Sequence, residues 1–398
     1  MTREQARDEI LQMNCPNILC ELPTSFGKTK VALDLMKRRL PYINLYKVDP
    51  IHILIVVPRL VLIKNWKDEF TKWGMDDYLP YVEFVTYMSF PKKAGVWDMV
   101  IFDEVHHLSA RCREAMGGFV MSNCIMLSAT VGWKMGAELS VLFSELQTYK
   151  VTTKQAIDDE ILPDPKVYLI PLYLDSTKVD REIIKNKSQK IELRIPYYKK
   201  WDYAKVVNRK LIISCTQREY YDYVTSLVNF YKKKSKSPVF RNKFLKASGD
   251  RLKWLSDQKT ALVKQLLGFL DKQRTLTFCN GIPQTEELGK YCINSKNKAS
   301  MDNLAKFNEG KVDHITACNM LDEGINLTNC RVGVYATLNS SERLVKQKLG
   351  RLLRHPDPVI IIPYYVGTRD EEIVLKNMLE DYNPELVKTI TNLTELKL

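Results

Sequence analysis

The sequence predicts an α/β protein built as two parallel-sheet lobes in tandem, with a largely helical basic insertion in the second lobe. Three observations predict it. Short apolar runs alternate with amphipathic stretches over the first third of the chain, the pattern of strands covered by helices on both faces. The same alternation returns after about residue 166. Between the opening strands of that second series, residues 176–254 hold 21 Lys and Arg against 7 Asp and Glu. This excess of 14 exceeds the net +13 of the whole 398-residue chain, so the rest of the chain is close to neutral.

In the first lobe, expected over residues 1–150, Asn17–Leu22 reads as a strand running into a turn and Lys28–Arg39 as a helix. His52–Val57 is a second strand, followed by a helix over Val61–Trp73. Val82–Thr86, Met99–Asp103 and Cys124–Ser128 are further strands. Residues 151–165 read as a linker and 166–398 as the second lobe. There Val167–Leu174, Thr275–Phe278, His314–Ala317, Val332–Tyr335 and Val359–Tyr365 are strand-like. Gln284–Cys292, Met301–Glu309 and Glu342–Leu353 have helical spacing. The insertion, about 176–260, shows helical spacing at Tyr220–Phe230 and Leu252–Leu270.

Composition removes several classes. Hydrophobic residues make up 45%, the proportion of an ordinary soluble domain. No window approaches the ~20 apolar residues of a membrane span. The N-terminus is charged from its third residue and lacks an apolar signal core, so secretion is not expected. The nine cysteines include no C-x-x-C pair. No zinc site is expected, and the cysteines read as small buried hydrophobes in a reduced, intracellular protein.

Three separated segments carry chemistry. Leu22-Pro-Thr-Ser-Phe-Gly-Lys-Thr29 follows a strand and opens a helix, the context of a phosphate-binding loop. Backbone N–H groups of Thr24, Ser25, Phe26 and Gly27 would face phosphates, Lys28 would reach them, and the Thr29 hydroxyl would ligate Mg²⁺. Leu22 and Ser25 stand where glycines are usual. Met99-Val-Ile-Phe-Asp-Glu-Val-His106 is an apolar strand ending in two carboxylates, at the edge where open α/β sheets bind ligands. Asp103 would hold Mg²⁺ and Glu104 would orient or deprotonate an attacking water. In Gln347-Lys-Leu-Gly-Arg-Leu-Leu-Arg354, helical spacing places Gln347, Arg351 and Arg354 on one face, and Gly350 permits close approach. Arginine supplies transition-state charge in phosphoryl transfer, worth ~10³–10⁵ in rate.

Together these segments resemble the superfamily 2 helicases of DExH type, and other short signatures match in the family's order. Arg3-Glu-Gln5 resembles the glutamine motif that reads adenine. Val56-Val-Pro-Arg-Leu-Val-Leu62 resembles motif Ia, with Pro58 and Arg59, and Val85-Thr86-Tyr87 resembles motif Ib. Ser128-Ala-Thr130 resembles motif III and Leu276-Thr-Phe-Cys-Asn280 motif IV. Leu321-Asp-Glu-Gly-Ile-Asn-Leu327, with Asp322 and Gly324, resembles motif V. The resemblance implies two RecA-like lobes with ATP and Mg²⁺ in the cleft between them. It implies nucleotide contacts from Gln5, Asp322 and Gly324, and catalysis by Lys28, Glu104, Gln347, Arg351 and Arg354. It further implies nucleic-acid contact or coupling at Pro58, Arg59, Thr86, His106, Ser128, Thr130 and Asn280.

Gln347–Arg354 resembles motif VI, and Asp-Glu-Val-His with a Gln opening that motif differs from the DEAD-box RNA helicases. It is closer to repair-type helicases, phage UvsW-like branch-migration helicases and restriction motors. The expected function is an ATP-dependent DNA helicase or translocase acting on duplex, forked or junction DNA. It is expected as a monomeric motor, with accessory proteins possible, in the cytoplasm of a bacterial or phage-infected cell. No acidic constellation like that of a nuclease follows Arg354, so a complete restriction endonuclease is not expected. The alternatives are an RNA-remodelling helicase, a motor subunit of a restriction or defence complex, and a non-catalytic nucleic-acid clamp. The insertion mixes its cations with 12 aromatics, including Tyr197, Tyr198, Trp201, Tyr203, Tyr220, Tyr221 and Tyr223. Cations neutralise phosphates and aromatics stack on unpaired bases, which makes the insertion the expected fork- or junction-binding element.

Overall fold

Ile53–Val57 (β2) and Cys124–Ser128 (β7) are buried at every position, which only a strand covered on both faces requires. The computed structural model describes residues 1–40, 51–185, 204–207, 210–318, 327–338, 350 and 352–398. In the first lobe Asn17–Glu21 (β1), Val82–Thr86 (β3), Met99–Phe102 (β5) and Leu146–Lys150 (β8) join β2 and β7. They form one sheet in the order β3-β2-β5-β7-β1-β8, parallel throughout. This order matters for the site. Strand β7 lies between β1, which feeds the phosphate loop, and β5, which ends in the carboxylates. A short side ribbon pairs Gly95–Trp97 (β4) with Phe119–Met121 (β6).

The second lobe repeats the plan. Lys166–Leu172 (β9), Thr275–Phe278 (β13), Cys292–Ile293 (β14), His314–Ala317 (β15), Val332–Tyr335 (β16), Val359–Tyr365 (β17) and Val387–Thr389 (β18) form a seven-stranded sheet. Its order is β14-β15-β13-β16-β17-β9-β18, again parallel. Strands β13 and β16 are fully buried, β13 with the polar Thr275 and Thr277 among its four residues. Both sheets are thus the parallel α/β lobes expected of the fold. Eight of the nine cysteines are buried and all are free. Among the described residues no helix is long and apolar enough to cross a membrane.

The insertion differs from the expected helical one in its first half. Val179–Lys185 (β10), Ala204–Val207 (β11) and Lys210–Cys215 (β12) form an antiparallel sheet in the order β10-β12-β11. Their apolar runs are only two or three residues long and are broken by Asp180, Arg181, Glu182, Lys205 and Lys210, so the sequence hides them. The second half is helical, over Gln217–Lys233, Pro238–Gln258 and Thr260–Phe269. The expected helix Leu252–Leu270 is therefore two, meeting at Lys259. Tyr221 and Tyr223 are buried, and Tyr220 packs on Trp254 at 5.1 Å between ring centroids. These three tyrosines form the insertion's own core instead of a stacking platform. Tyr197, Tyr198, Trp201 and Tyr203 lie outside the described residues.

A fully buried ion pair ties the helices to the lobe: Lys259 Nζ lies 2.6 Å from Asp370, with side chains 0% and 2% exposed. Beside it the Tyr221 hydroxyl accepts from the Arg369 amide at 2.7 Å. The expected helix Gln284–Cys292 spans Ile282–Leu288 and gives way to β14. Edge strands β8, β14 and β18 escaped the sequence reading because they are short or half-solvated. Most of the expected helix Glu342–Leu353 lies outside the described residues.

Candidate active site

The loop between β1 and the helix Lys28–Arg39 is shaped by two left-handed residues, Ser25 at φ 71° and Gly27 at φ 105°. For Ser25 this conformation costs roughly 1–2 kcal/mol. Gly27 caps the helix, and a Cβ built there meets nothing within 4 Å. Open space therefore lies over the helix N-terminus, where backbone N–H groups favour an anion. Leu22 explains its own departure from the glycine pattern. It is fully buried, and its amide donates to the Ser128 carbonyl at 2.9 Å. That position still belongs to the sheet and does not line the cradle.

Across the sheet edge, β5 delivers Asp103 and Glu104. Glu104 is also left-handed, at φ 51°, which turns its carboxylate back toward the loop. Lys28 Nζ donates to Glu104 Oε1 at 2.9 Å, with both side chains largely buried. His106 Nδ1 lies 3.0 Å from Ser128 Oγ and 3.4 Å from Glu104 Oε2. Ser128 Oγ in turn donates to the Thr130 carbonyl at 3.0 Å. The intervening position of β7 makes this chain of contacts possible.

Asp103 is held from two sides. Trp66 Nε1 donates to its Oδ2 at 3.0 Å, and the Tyr87 hydroxyl donates to its carbonyl at 2.8 Å. Burial, with the nearby Asp103 and Glu104 charges, pushes the Tyr87 phenol well above its usual range, so it remains a donor. The Thr29 hydroxyl and the Asp103 carboxylate offer the hard oxygen ligands that Mg²⁺ prefers, on the wall of one cavity.

That cavity, about 750 Å³, is lined by Thr24, Ser25, Phe26, Gly27, Lys28, Thr29, Asp103, Glu104 and, from the second lobe, Arg354. Arg354 Nε donates to Ser25 Oγ at 3.2 Å. Gly350 is needed for this approach, because a Cβ there would stand 2.4 Å from Thr24 Cβ. One wall was not anticipated. The helix Val61–Lys72 contributes Leu62, Trp66 and Glu69, and Trp73 follows at its C-cap. These recur at i, i+4, i+7 and i+11, so the signal was present, but it resembles an ordinary core face.

Gln5 does not line the cavity. Its side chain accepts from the Thr2 amide at 2.6 Å and its amide donates to Thr2 Oγ1, so it closes a capping box on the helix Arg3–Gln12. Its neighbours Arg3, Glu4 and Arg7 do line the cavity. Pro58, Arg59 and Thr86 stand at the C-terminal ends of β2 and β3, with Arg59 exposed. Asn280 follows β13, and its amide donates to Gln284 Oε1 at 3.0 Å. Asp322, Gly324, Gln347 and Arg351 lie outside the described residues.

Comparisons with known proteins match the two lobes separately and in order. Residues 3–94 match the family model of the type III restriction enzyme res subunit, and residues 258–356 the helicase conserved C-terminal domain. The DNA 3′-5′ translocase XPB2 of Sulfurisphaera tokodaii is 23% identical over 372 residues, covering 88% of this chain and 78% of that protein. Among solved structures, a fragment of a putative type I restriction enzyme HsdR subunit from Vibrio vulnificus superposes with a TM-score of 0.58 at 16% identity. It covers 98% of this chain and 68% of that one. Dbp5 of S. cerevisiae, solved bound to RNA and ADP BeF3, gives 0.58 at 12% identity, with 98% and 89% covered. The Pyrococcus furiosus Hef helicase domain gives 0.51 at 14% identity, with 93% and 96% covered. Two family models in order, one on each lobe, together with the translocase relative, place the chain in superfamily 2 of the helicases, as a nucleic-acid-dependent ATPase.

Proposed function

We propose that this motor couples ATP hydrolysis to translocation on DNA, with unwinding or branch migration of forked or junction substrates as its outcome. One observation carries the reading: Lys28, Thr29, Asp103 and Glu104 of the first lobe share a cavity with Arg354 of the second. Chemistry in such a cleft depends on how the lobes meet, so hydrolysis and inter-lobe motion are linked. On nucleotide binding, Lys28 exchanges Glu104 for the β/γ-phosphates, which frees the Glu104 carboxylate to orient a water and accept its proton. Thr29 and Asp103 would hold Mg²⁺, which would neutralise charge on the phosphates. Arg354 supplies charge to the transferring phosphoryl group. His106 and Ser128 connect this centre to the segment after β7, where the family senses nucleic acid.

The choice of DNA rests on the name of the XPB2 relative and on the restriction-type match of the first lobe. Polarity, 3′ to 5′, is taken from the same relative. The insertion supports a branched substrate. Between Asp222 and Asp250 it holds seven Lys and Arg and no carboxylate. At the turn joining the helices Gln217–Lys233 and Pro238–Gln258, Phe230 is 44% exposed. Lys234 Nζ lies 4.4 Å from the Phe230 ring centroid and 5.5 Å from that of Phe240. A cationic tip carrying an exposed ring can contact phosphates and cover a terminal base pair at a branch.

The test is ATPase activity of the full chain with single-stranded, duplex, forked and four-way-junction DNA, and with matching RNA. Strongest stimulation by branched DNA, lost in Lys28→Ala, is expected. Stimulation by RNA alone, or activity that survives Lys28→Ala, would overturn the reading.

A further inference from the structure

Ser25 occupies a loop position where a side chain is not needed for phosphate binding and where its left-handed backbone, at φ 71°, is disfavoured. Its hydroxyl nevertheless makes two contacts across the cleft. Ser25 Oγ donates to the Gly350 carbonyl at 2.6 Å and accepts from Arg354 Nε at 3.2 Å. Both partners belong to the second lobe, more than 320 residues away in sequence. One hydroxyl, with one donor and two acceptor lone pairs, can satisfy both at once. The neighbouring contact is equally close-fitting, since any Cβ at Gly350 would meet Thr24 at 2.4 Å. The phosphate loop therefore offers the second lobe a seat made of Thr24 and Ser25, and the strained backbone at 25 is what aims the hydroxyl outward.

We propose that Ser25 is a positioning residue for the motif VI arginine: it docks the end of that segment on the phosphate loop and holds the Arg354 guanidinium at the mouth of the cleft. This deepens the ATPase reading of the same site. A glycine at position 25 would adopt the backbone at no strain yet leave Arg354 to find its place only as the reaction proceeds. The hydroxyl orders one long side chain in advance, and pre-ordering lowers the entropy lost in reaching the transition state. An arginine acting only in the transition state affects kcat without affecting nucleotide binding.

Two variants separate backbone from hydroxyl. Ser25→Ala removes the hydroxyl and keeps the strain, whereas Ser25→Gly removes both. Both are expected to lower DNA-stimulated kcat by about 3- to 10-fold, the effect of one hydrogen bond, with KM for ATP within about twofold. In an Arg354→Ala background neither should lower kcat further. A loss in Ser25→Ala recovered in Ser25→Gly would assign the effect to strain and overturn the proposal. An equal loss in both backgrounds, or no loss in either, would overturn it too. A dye pair with one fluorophore on each lobe reads the docking without turnover. Without nucleotide, both variants should show lower energy transfer than wild type, and unchanged transfer overturns the docking role. Because this readout needs no hydrolysis, an inactive wild type would defeat the ATPase assignment and still leave the docking tested.

Discussion

The cleft and the insertion are built by opposite rules. In the cleft each position answers to a distance of a few tenths of an ångström. Gly27 must be left-handed with space above it, Gly350 cannot accept a Cβ, and Lys28, Glu104, His106 and Ser128 stand in one chain of contacts. In the insertion the charge is a sum. Between Asp222 and Asp250 its seven cations are all exposed, so that any one could move without undoing the rest. Chemistry on a fixed atom demands particular residues at particular spacings. Attraction to a polyanion demands only enough charge of one sign on one face. The contrast shows where this molecule tolerates change and where it does not.

The strongest challenge to that contrast is Lys28→Ala, which should lower kcat by about 10³, roughly 4 kcal/mol of barrier, in a DNA-stimulated ATPase assay. A mild effect would mean that the cleft is as tolerant as the insertion. Next is the insertion's rigid anchor. Lys259→Met leaves Asp370 buried without its partner and should destabilise the second lobe by ~3–5 kcal/mol in denaturant unfolding, whereas Lys259→Met with Asp370→Leu should recover most of the loss. If the single variant matched wild type, the anchor would be as replaceable as the surface lysines.

Gly350→Ala should lower kcat by about 10², because the added methyl then meets Thr24 and holds the lobes roughly an ångström apart, while unfolding midpoints stay unchanged. Replacing Lys232, Lys233, Lys234 and Lys236 by Gln should weaken fork binding by about tenfold or more. The slope of log affinity against log salt should fall by about 0.7–0.9 for each phosphate that is no longer neutralised, with the DNA-independent ATPase rate unchanged. An unaltered slope would remove the charge from substrate binding. The smallest effect is expected of Trp66→Phe, which keeps the packing and removes the N–H donor to Asp103. About a fivefold fall in kcat is expected, together with a higher Mg²⁺ requirement in a metal titration.

The legible part of the site followed the same division. Lys28, Thr29, Asp103, Glu104 and Arg354 are readable from local patterns because a strand end, a helix start and a charge must coincide within a few residues. Trp66 is not, because a tryptophan on an apolar helix face looks like any core residue until its N–H is seen to reach a carboxylate 37 positions away. Gln5 is ambiguous in the sequence because a glutamine three residues after Thr2 fits a capping box and an adenine motif equally well. Only the three-dimensional arrangement distinguishes these roles. The three-stranded sheet of the insertion is hidden because charged residues cut its apolar runs to two or three positions, so their period of two is blurred.

By itself the sequence determined the two-lobed parallel architecture, because strands buried on both faces must be continuous apolar runs. It also marked the loop Leu22–Thr29 and the carboxylates Asp103 and Glu104 as candidates, because their pattern is local. The tertiary structure alone decided what depends on strand order and on how the lobes meet. It placed β7 between the two catalytic strands, which brings Ser128 to His106. It pressed Gly350 against Thr24 and seated Arg354 on Ser25. Such contacts join residues far apart in the chain, and their specificity lies in shape and distance that no run of neighbouring residues records.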